Sequence, residues 1–177
     1  MLKIHNQNLS EERHHVVSAL VENHPGVLAK IAGLFSARGF NIDSLTVGIT
    51  EDPTVSRMTI VVRGDDRILE QVTKQLDRLP IVIEVRDFVG EDFVDRELLL
   101  VKVSANSKSR PEIIQMIEIF RARIVDVSLL SLTVELTGDQ DKLKAFLDLL
   151  RPFGIQEIAR TGLVAMSRGP LKNNTDK

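Results

Sequence analysis

Hydrophobic and polar positions along the chain fall into two series of the same order. His15 to Glu22 (HVVSALVE) is a mostly apolar run rich in β-branched residues. Bounded by Asn23-His24-Pro25-Gly26, it predicts a buried strand. Val27, Leu28, Ile31, Ala32, Leu34 and Phe35 then recur at helical spacing as far as Arg38-Gly39, where Gly suits a helix C-terminus. Asn41 to Ile49 and Val55 to Arg63 read as strands joined by the turn signal Thr50-Glu51-Asp52-Pro53. Asp65 begins a second helix with Ile68, Leu69, Val72, Leu76 and Leu79 on one face. In the last strand of the series, Ile81, Ile83 and Val85 share one face and Val82, Glu84 and Arg86 the other.

The second series starts with a strand over Glu97 to Ser104 (ELLLVKVS). Ser109-Arg110-Pro111-Glu112 resembles a capping box and opens a helix running through Phe120. Two closely joined strands follow, Ala122 to Ser128 and Leu130 to Thr137. Asp139 caps a helix with Leu143, Phe146, Leu147 and Leu150 on one face, and Gln156 to Met166 reads as one closing strand. Phe35-Ser36-Ala37-Arg38 and Phe120-Arg121-Ala122-Arg123 fall at equivalent places, although identity between the halves is slight. The order βαββαβ twice over predicts an α+β chain of two ferredoxin-like domains in tandem, with the boundary near Gly90-Glu91-Asp92.

In such a domain two helices cover one sheet face and leave the other open. Here Val16, Val17, Ala19, Leu20 and Val21, and Met58, Ile60, Val61 and Val62, are apolar at almost every position rather than at alternate ones. The open face or a sheet edge is therefore expected to be covered. A second copy of the chain and the neighbouring domain are the two candidates, and a homodimer is expected.

Composition narrows the chemistry. The 177 residues are 43% hydrophobic and 27% charged with a formal net charge of −2, as in an ordinary globular protein. Without Cys there is no disulfide, thiol nucleophile or cysteine-ligated metal, and Trp and Tyr are also missing. A chain this poor in reactive side chains is not expected to be an enzyme. No apolar stretch approaches the roughly 18 residues of a membrane span. Met1 to Arg13 is polar and lacks the order of a signal peptide, so the cytoplasm is the expected compartment. Residues 1–13 and 169–177 have little to bury and read as flexible tails.

The four histidines offer no metal site. His14 and His15 are adjacent and point to opposite faces of a strand, His5 is in the tail, and His24 precedes Pro in a turn. The βαββαβ order is shared with RNA-recognition domains, which stack bases on aromatic residues of the central strands. His15 to Glu22 and Val55 to Arg63 contain no aromatic residue, which removes that reading.

What remains is Asn23-His24-Pro25-Gly26-Val27-Leu28. A helix N-terminus after such a turn has unpaired N–H groups and the positive end of the dipole, suited to a carboxylate. Gly26 permits close approach to the backbone. Asn23 and Asn41 offer donors and acceptors to an ammonium or carboxylate, and Val27, Leu28 and Ile42 could form a pocket for a small aliphatic side chain. Taken alone, the same residues are read more simply as a plain helix cap and tight turn.

The run from Asn23 to Leu28, with Gly33-Leu34-Phe35-Ser36-Ala37-Arg38-Gly39-Phe40-Asn41-Ile42-Asp43-Ser44-Leu45-Thr46, resembles the ACT domain of the acetohydroxyacid synthase (acetolactate synthase) small regulatory subunit. Asp52 to Ile60 continues the likeness. Glu97 to Lys102, Phe120-Arg121, Ala159 to Gly162 and Ser167 to Gly169 are similar to the family's C-terminal domain. The resemblance implies an ACT domain over 14–90, for effector binding and dimerisation, and a second ferredoxin-like domain over 96–168. It implies a chain without a catalytic or metal site that activates a catalytic subunit and confers feedback inhibition by valine or another branched-chain amino acid. Thiamine diphosphate, magnesium and FAD would belong to that partner, not to this chain. Carried over by motif, the effector site comprises Asn23, Gly26, Val27, Leu28, Asn41 and Ile42. A freestanding ACT-repeat sensor acting on another protein is the alternative.

Overall fold

A computed structural model describes residues 13–169. Residues 1–12, with His5 and nearly all of the expected N-terminal tail, lie outside the described residues, as do 170–177 of the C-terminal tail. The chain divides after Asp92 into two compact units.

The first unit comprises β1 (Arg13–Glu22), α1 (Val27–Arg38), β2 (Ile42–Ile49), β3 (Val55–Gly64), α2 (Asp66–Asp77) and β4 (Val82–Asp87). Its strands form an antiparallel sheet in the order β2-β3-β1-β4. Val17, Ala19 and Val21 of β1 and Met58, Ile60 and Val62 of β3 bury one face against Ile31 and Phe35 of α1 and Leu69, Val72 and Leu76 of α2. The opposite face is mixed rather than uniformly apolar. Ser18 lies opposite Thr59 and Leu20 opposite Arg57, and Arg57 Nη1 donates to Ser18 Oγ at 2.9 Å.

The second unit comprises β5 (Phe93–Ser104), α3 (Arg110–Phe120), β6 (Arg123–Val127), β7 (Ser131–Gly138), α4 (Gln140–Leu150), β8 (Ile155–Arg160) and β9 (Val164–Ser167). The sheet order β6-β7-β5-β8 repeats that of the first unit, with β9 added to β5. Leu99, Val101 and Val103 of β5 and Leu132, Val134 and Leu136 of β7 pack on Ile113 and Ile117 of α3 and Leu143, Phe146 and Leu150 of α4. The expected α+β class, βαββαβ in each half, is what the chain adopts.

Four local expectations need correction. In β4, Val82 and Val85 pack on the core while Ile83 is 57% exposed. Val21 pairs with Val82 but Leu20 with Glu84, so Ile83 is an extra residue that reverses the alternation. Gln156 to Met166 is two strands, not one. Leu99 pairs with Arg160 and Arg96 with Val164, so four steps on one side meet three on β5, and the chain breaks at Gly162 (φ +88°). The Ser109 side chain does not cap α3. Asn106 Oδ1 instead accepts from the amides of Lys108 (2.9 Å) and Ser109 (3.0 Å), so the cap lies three residues earlier.

The repeat is also aligned differently from the sequence expectation. Gly39 ends α1 and Arg121 ends α3, each left-handed, and the next amide bonds five residues back: Phe40 to Phe35 at 3.0 Å, Ala122 to Ile117 at 2.8 Å. Phe35 therefore matches Ile117, not Phe120. The sequence signature the halves share lies at the strand-to-helix junctions, Gly64-Asp65 and Gly138-Asp139. There Asp65 accepts from the Ile68 amide (3.0 Å) and Asp139 from the Lys142 amide (2.8 Å).

Candidate functional site

The turn from β1 to α1 is held from below by the β2–β3 hairpin. The Asn23 amide donates to the Thr54 carbonyl at 2.7 Å, and Asn23 Nδ2 donates to the Pro53 carbonyl at 2.8 Å. The hairpin is ordered in turn by Asp52, whose Oδ1 accepts from Thr54 Oγ1 (2.6 Å) and the Thr54 amide (2.8 Å). Those bonds, the hydroxyl foremost, hold the Asp52 carboxyl below its usual range. His24 spends its ring on neighbours, with Nε2 2.9 Å from Glu22 Oε2 and Nδ1 3.0 Å from the Pro25 carbonyl.

Gly26 is left-handed (φ +91°) and forms the N-cap of α1. No side chain caps this helix and no acid lies in its first turn. The Leu28 and Ala29 amides are thus left to water or a ligand. The other three helix starts differ: Asp65, Asn106 and Asp139 place side-chain oxygens there. Val27 is buried in the core, while Leu28 is 49% exposed beside the open amides.

Asn41 and Ile42 are elsewhere. Ile42 and His15 both lie opposite Val62, whereas Glu22 lies opposite Val55. The seven-residue interval from His15 to Glu22 places Asn41 and Ile42 roughly 23 Å from the Asn23–Gly26 turn, at a rise of about 3.3 Å per residue. Ile42 packs at the core edge. Asn41 Nδ2 donates to Asp43 Oδ1 at 2.7 Å. Asp43 also receives Arg63 Nε (3.2 Å, to Oδ2) and Nη2 (3.3 Å, to Oδ1), and His14 Nε2 lies 3.0 Å from Oδ2. His15, facing the other way, is buried with Nε2 3.1 Å from the Gly64 carbonyl.

One chain therefore brings together Asn23, Gly26, Val27 and Leu28 but not Asn41 and Ile42. Both asparagines are held in the same manner. Each tethers its amide nitrogen within the chain and leaves the carbonyl oxygen without a partner among the described residues. A carbonyl oxygen suits an ammonium group and open helix amides suit a carboxylate. The two kinds of half-site complement the two ends of a free amino acid. Sequence reading overlooked Asp43, although Asn41 and Asp43 stand two apart, the interval that puts side chains on one side of a strand.

Residues 17–84 match the family model of the AHAS small subunit-like ACT domain, and 96–169 that of the small subunit of acetolactate synthase. A probable acetolactate synthase small subunit of Methanothermobacter thermautotrophicus is 62% identical over 88% of this chain and 93% of its own length. The chain belongs to the acetolactate synthase small-subunit family. This is the regulatory, not the catalytic, chain of an enzyme complex. The acetolactate synthase small subunit of Mycobacterium leprae is 54% identical over 88% of this chain and 92% of its own. A crystal structure of the small subunit from Thermotoga maritima superposes with a TM-score of 0.82 at 46% identity, covering 90% and 99% of the two chains. No helix among the described residues of this family member is long and apolar enough to cross a membrane.

Proposed function

We propose that this small subunit binds the catalytic subunit of acetolactate synthase, raises its activity, and inhibits it when valine accumulates, so that branched-chain amino acid synthesis follows demand. The thiamine diphosphate, magnesium and FAD of the reaction belong to the catalytic chain, and both chains work in the cytoplasm. The observation that carries the effector reading is the division of the site. Open helix amides and the Asn23 carbonyl lie at one end of the sheet, and the Asn41 carbonyl and Ile42 at the other.

Two chains related by a two-fold axis bring the Gly26 turn of one to the Asn41 end of its partner, and each valine contacts both. The valine carboxylate meets the α1 amides, its ammonium meets the asparagine carbonyl oxygens, and its side chain lies on Leu28 and Ile42. Ligand that binds only this paired arrangement biases the catalytic partner through it. A coupling of about 1–3 kcal/mol changes affinity roughly 5- to 150-fold.

Gly26→Asp places a carboxylate over the α1 amides, and Asn41→Ala removes the ammonium acceptor. Reconstituted with the catalytic subunit, both variants are expected to stimulate it as before and to have lost valine inhibition. Full valine sensitivity in both overturns the site. Titration with valine, leucine and isoleucine ranks the effectors.

A further inference from the structure

We propose that Asp43 is the positioning residue of the effector site, locking the Asn41 carboxamide with its carbonyl oxygen presented to the ligand's ammonium group. This inference rests on the site proposed above. The bond between them settles which end of Asn41 faces inward. An ionised carboxylate only accepts hydrogen bonds, so the group 2.7 Å from Asp43 Oδ1 is the amide nitrogen, and the carbonyl oxygen points away. Donation to a charged acceptor also polarises the amide and makes its oxygen a better acceptor.

The backbone accounts for Asp43 being available. Ile42 pairs with Val62 and Ser44 with Val61, so Asp43 is the extra residue of a bulge on the edge strand β2. A bulge leaves the extra residue outside the ladder and locally bends its strand. The Asp43 carboxylate lies on the side of Asn41, two residues back, and faces β3 and β1. Arg63 and His14, opposite each other in register, close on it from those strands. An isolated Arg–Asp pair at a surface contributes little to stability. Three side chains converging on one carboxylate that is only one-fifth exposed instead fix its geometry. The arrangement is a clamp with Asn41 at its ligand end.

The test uses the full chain and valine. Calorimetric titration compares the parent protein, Asp43→Ala, Asn41→Ala and the double variant, and NMR follows the Asn41 side-chain amide protons, assigned by their loss in Asn41→Ala. Asp43→Ala is expected to weaken valine binding roughly tenfold or more, as for a lost charge-assisted hydrogen bond. The double variant should bind no more weakly than Asn41→Ala alone, since Asp43 acts through Asn41. One Asn41 amide proton should lie downfield in the parent and return to the ordinary position in Asp43→Ala. Thermal unfolding of Asp43→Ala close to that of the parent confirms that the loss is local. If Asn41→Ala abolishes binding while Asp43→Ala binds like the parent, or if the two losses add, Asp43 is not the positioning residue and the site itself stands. If Asn41→Ala binds valine like the parent, the site falls and the positioning role with it.

Discussion

Asn23 and Pro53 are joined by a 2.8 Å hydrogen bond from the Asn23 side-chain amide to the Pro53 carbonyl, which fastens the turn before α1 to the β2–β3 hairpin. Loss of this bond in Asn23→Ala should cost about 1 kcal/mol, the usual net value of a hydrogen bond. Asn23→Asp should cost more, because it removes the donor and sets a carboxylate against a carbonyl oxygen. Urea denaturation of the two variants orders them. An Asp variant as stable as the Ala variant contradicts a tethering role.

Acid exposes the same hairpin from another side. The Thr54 hydroxyl and amide hold the Asp52 carboxyl below its ordinary value of 3.8. A carboxylate whose folded pKa is lowered stabilises the fold above the unfolded value, and this contribution is lost as the pH falls through the folded one. Thr54→Val should raise the Asp52 pKa toward 3.8. NMR titration of the Asp52 carboxyl below pH 5 reads it, and an unchanged midpoint excludes the hydroxyl as the cause.

Arg121 ends α3 with φ +54°, the only positive φ outside glycine among the described residues. The matching position of the first unit is Gly39. Left-handed backbone costs an ordinary residue roughly 1–2 kcal/mol. Arg121→Gly should recover about 1 kcal/mol of that, less the greater chain entropy of glycine in the unfolded state. The measurement is the unfolding midpoint of the second unit, expected to rise.

The two strand-end glycines should respond unequally to alanine. A Cβ on Gly64 would lie 2.8 Å from Cβ of Ile68 and 2.6 Å from its Cδ1, so the helix itself must shift. A Cβ on Gly138 would meet chiefly the flexible end of Lys142, with Cδ at 2.6 Å. Gly64→Ala should therefore cost about 1–3 kcal/mol as an overpacking change. Gly138→Ala should stay near 0.5 kcal/mol. Equal costs in calorimetric melts of the two variants refute the assignment of strain to Ile68.

Much of this fold can be read in the sequence because its signals are periodic or chemical. The helical spacing of Val27, Ile31 and Phe35 and the caps at Asp65 and Asp139 needed no tertiary knowledge. What sequence did not reveal lies where one residue breaks the period. Ile83 and Asp43 are single extra residues, which only the pairing with a neighbouring strand defines. Asn106 takes the cap because its Oδ1 accepts from the Lys108 and Ser109 amides while the Ser109 hydroxyl turns back to Asn106, which spacing does not reveal. The site was half readable. Asn23 to Leu28 are contiguous, but the separation of Asn41 from them follows from strand register alone.

The placement of Gly26 and Asn41 at opposite ends of the first sheet makes dilution an experimental variable. A lone chain holds two incomplete halves, and under the pairing proposed here only associated chains can fill them. By mass action, valine then draws chains together by the same free energy with which association tightens valine. Dose–response curves should therefore move to higher valine as the protein is diluted. Feedback measured on dilute extracts would understate the sensitivity of the protein at its working concentration.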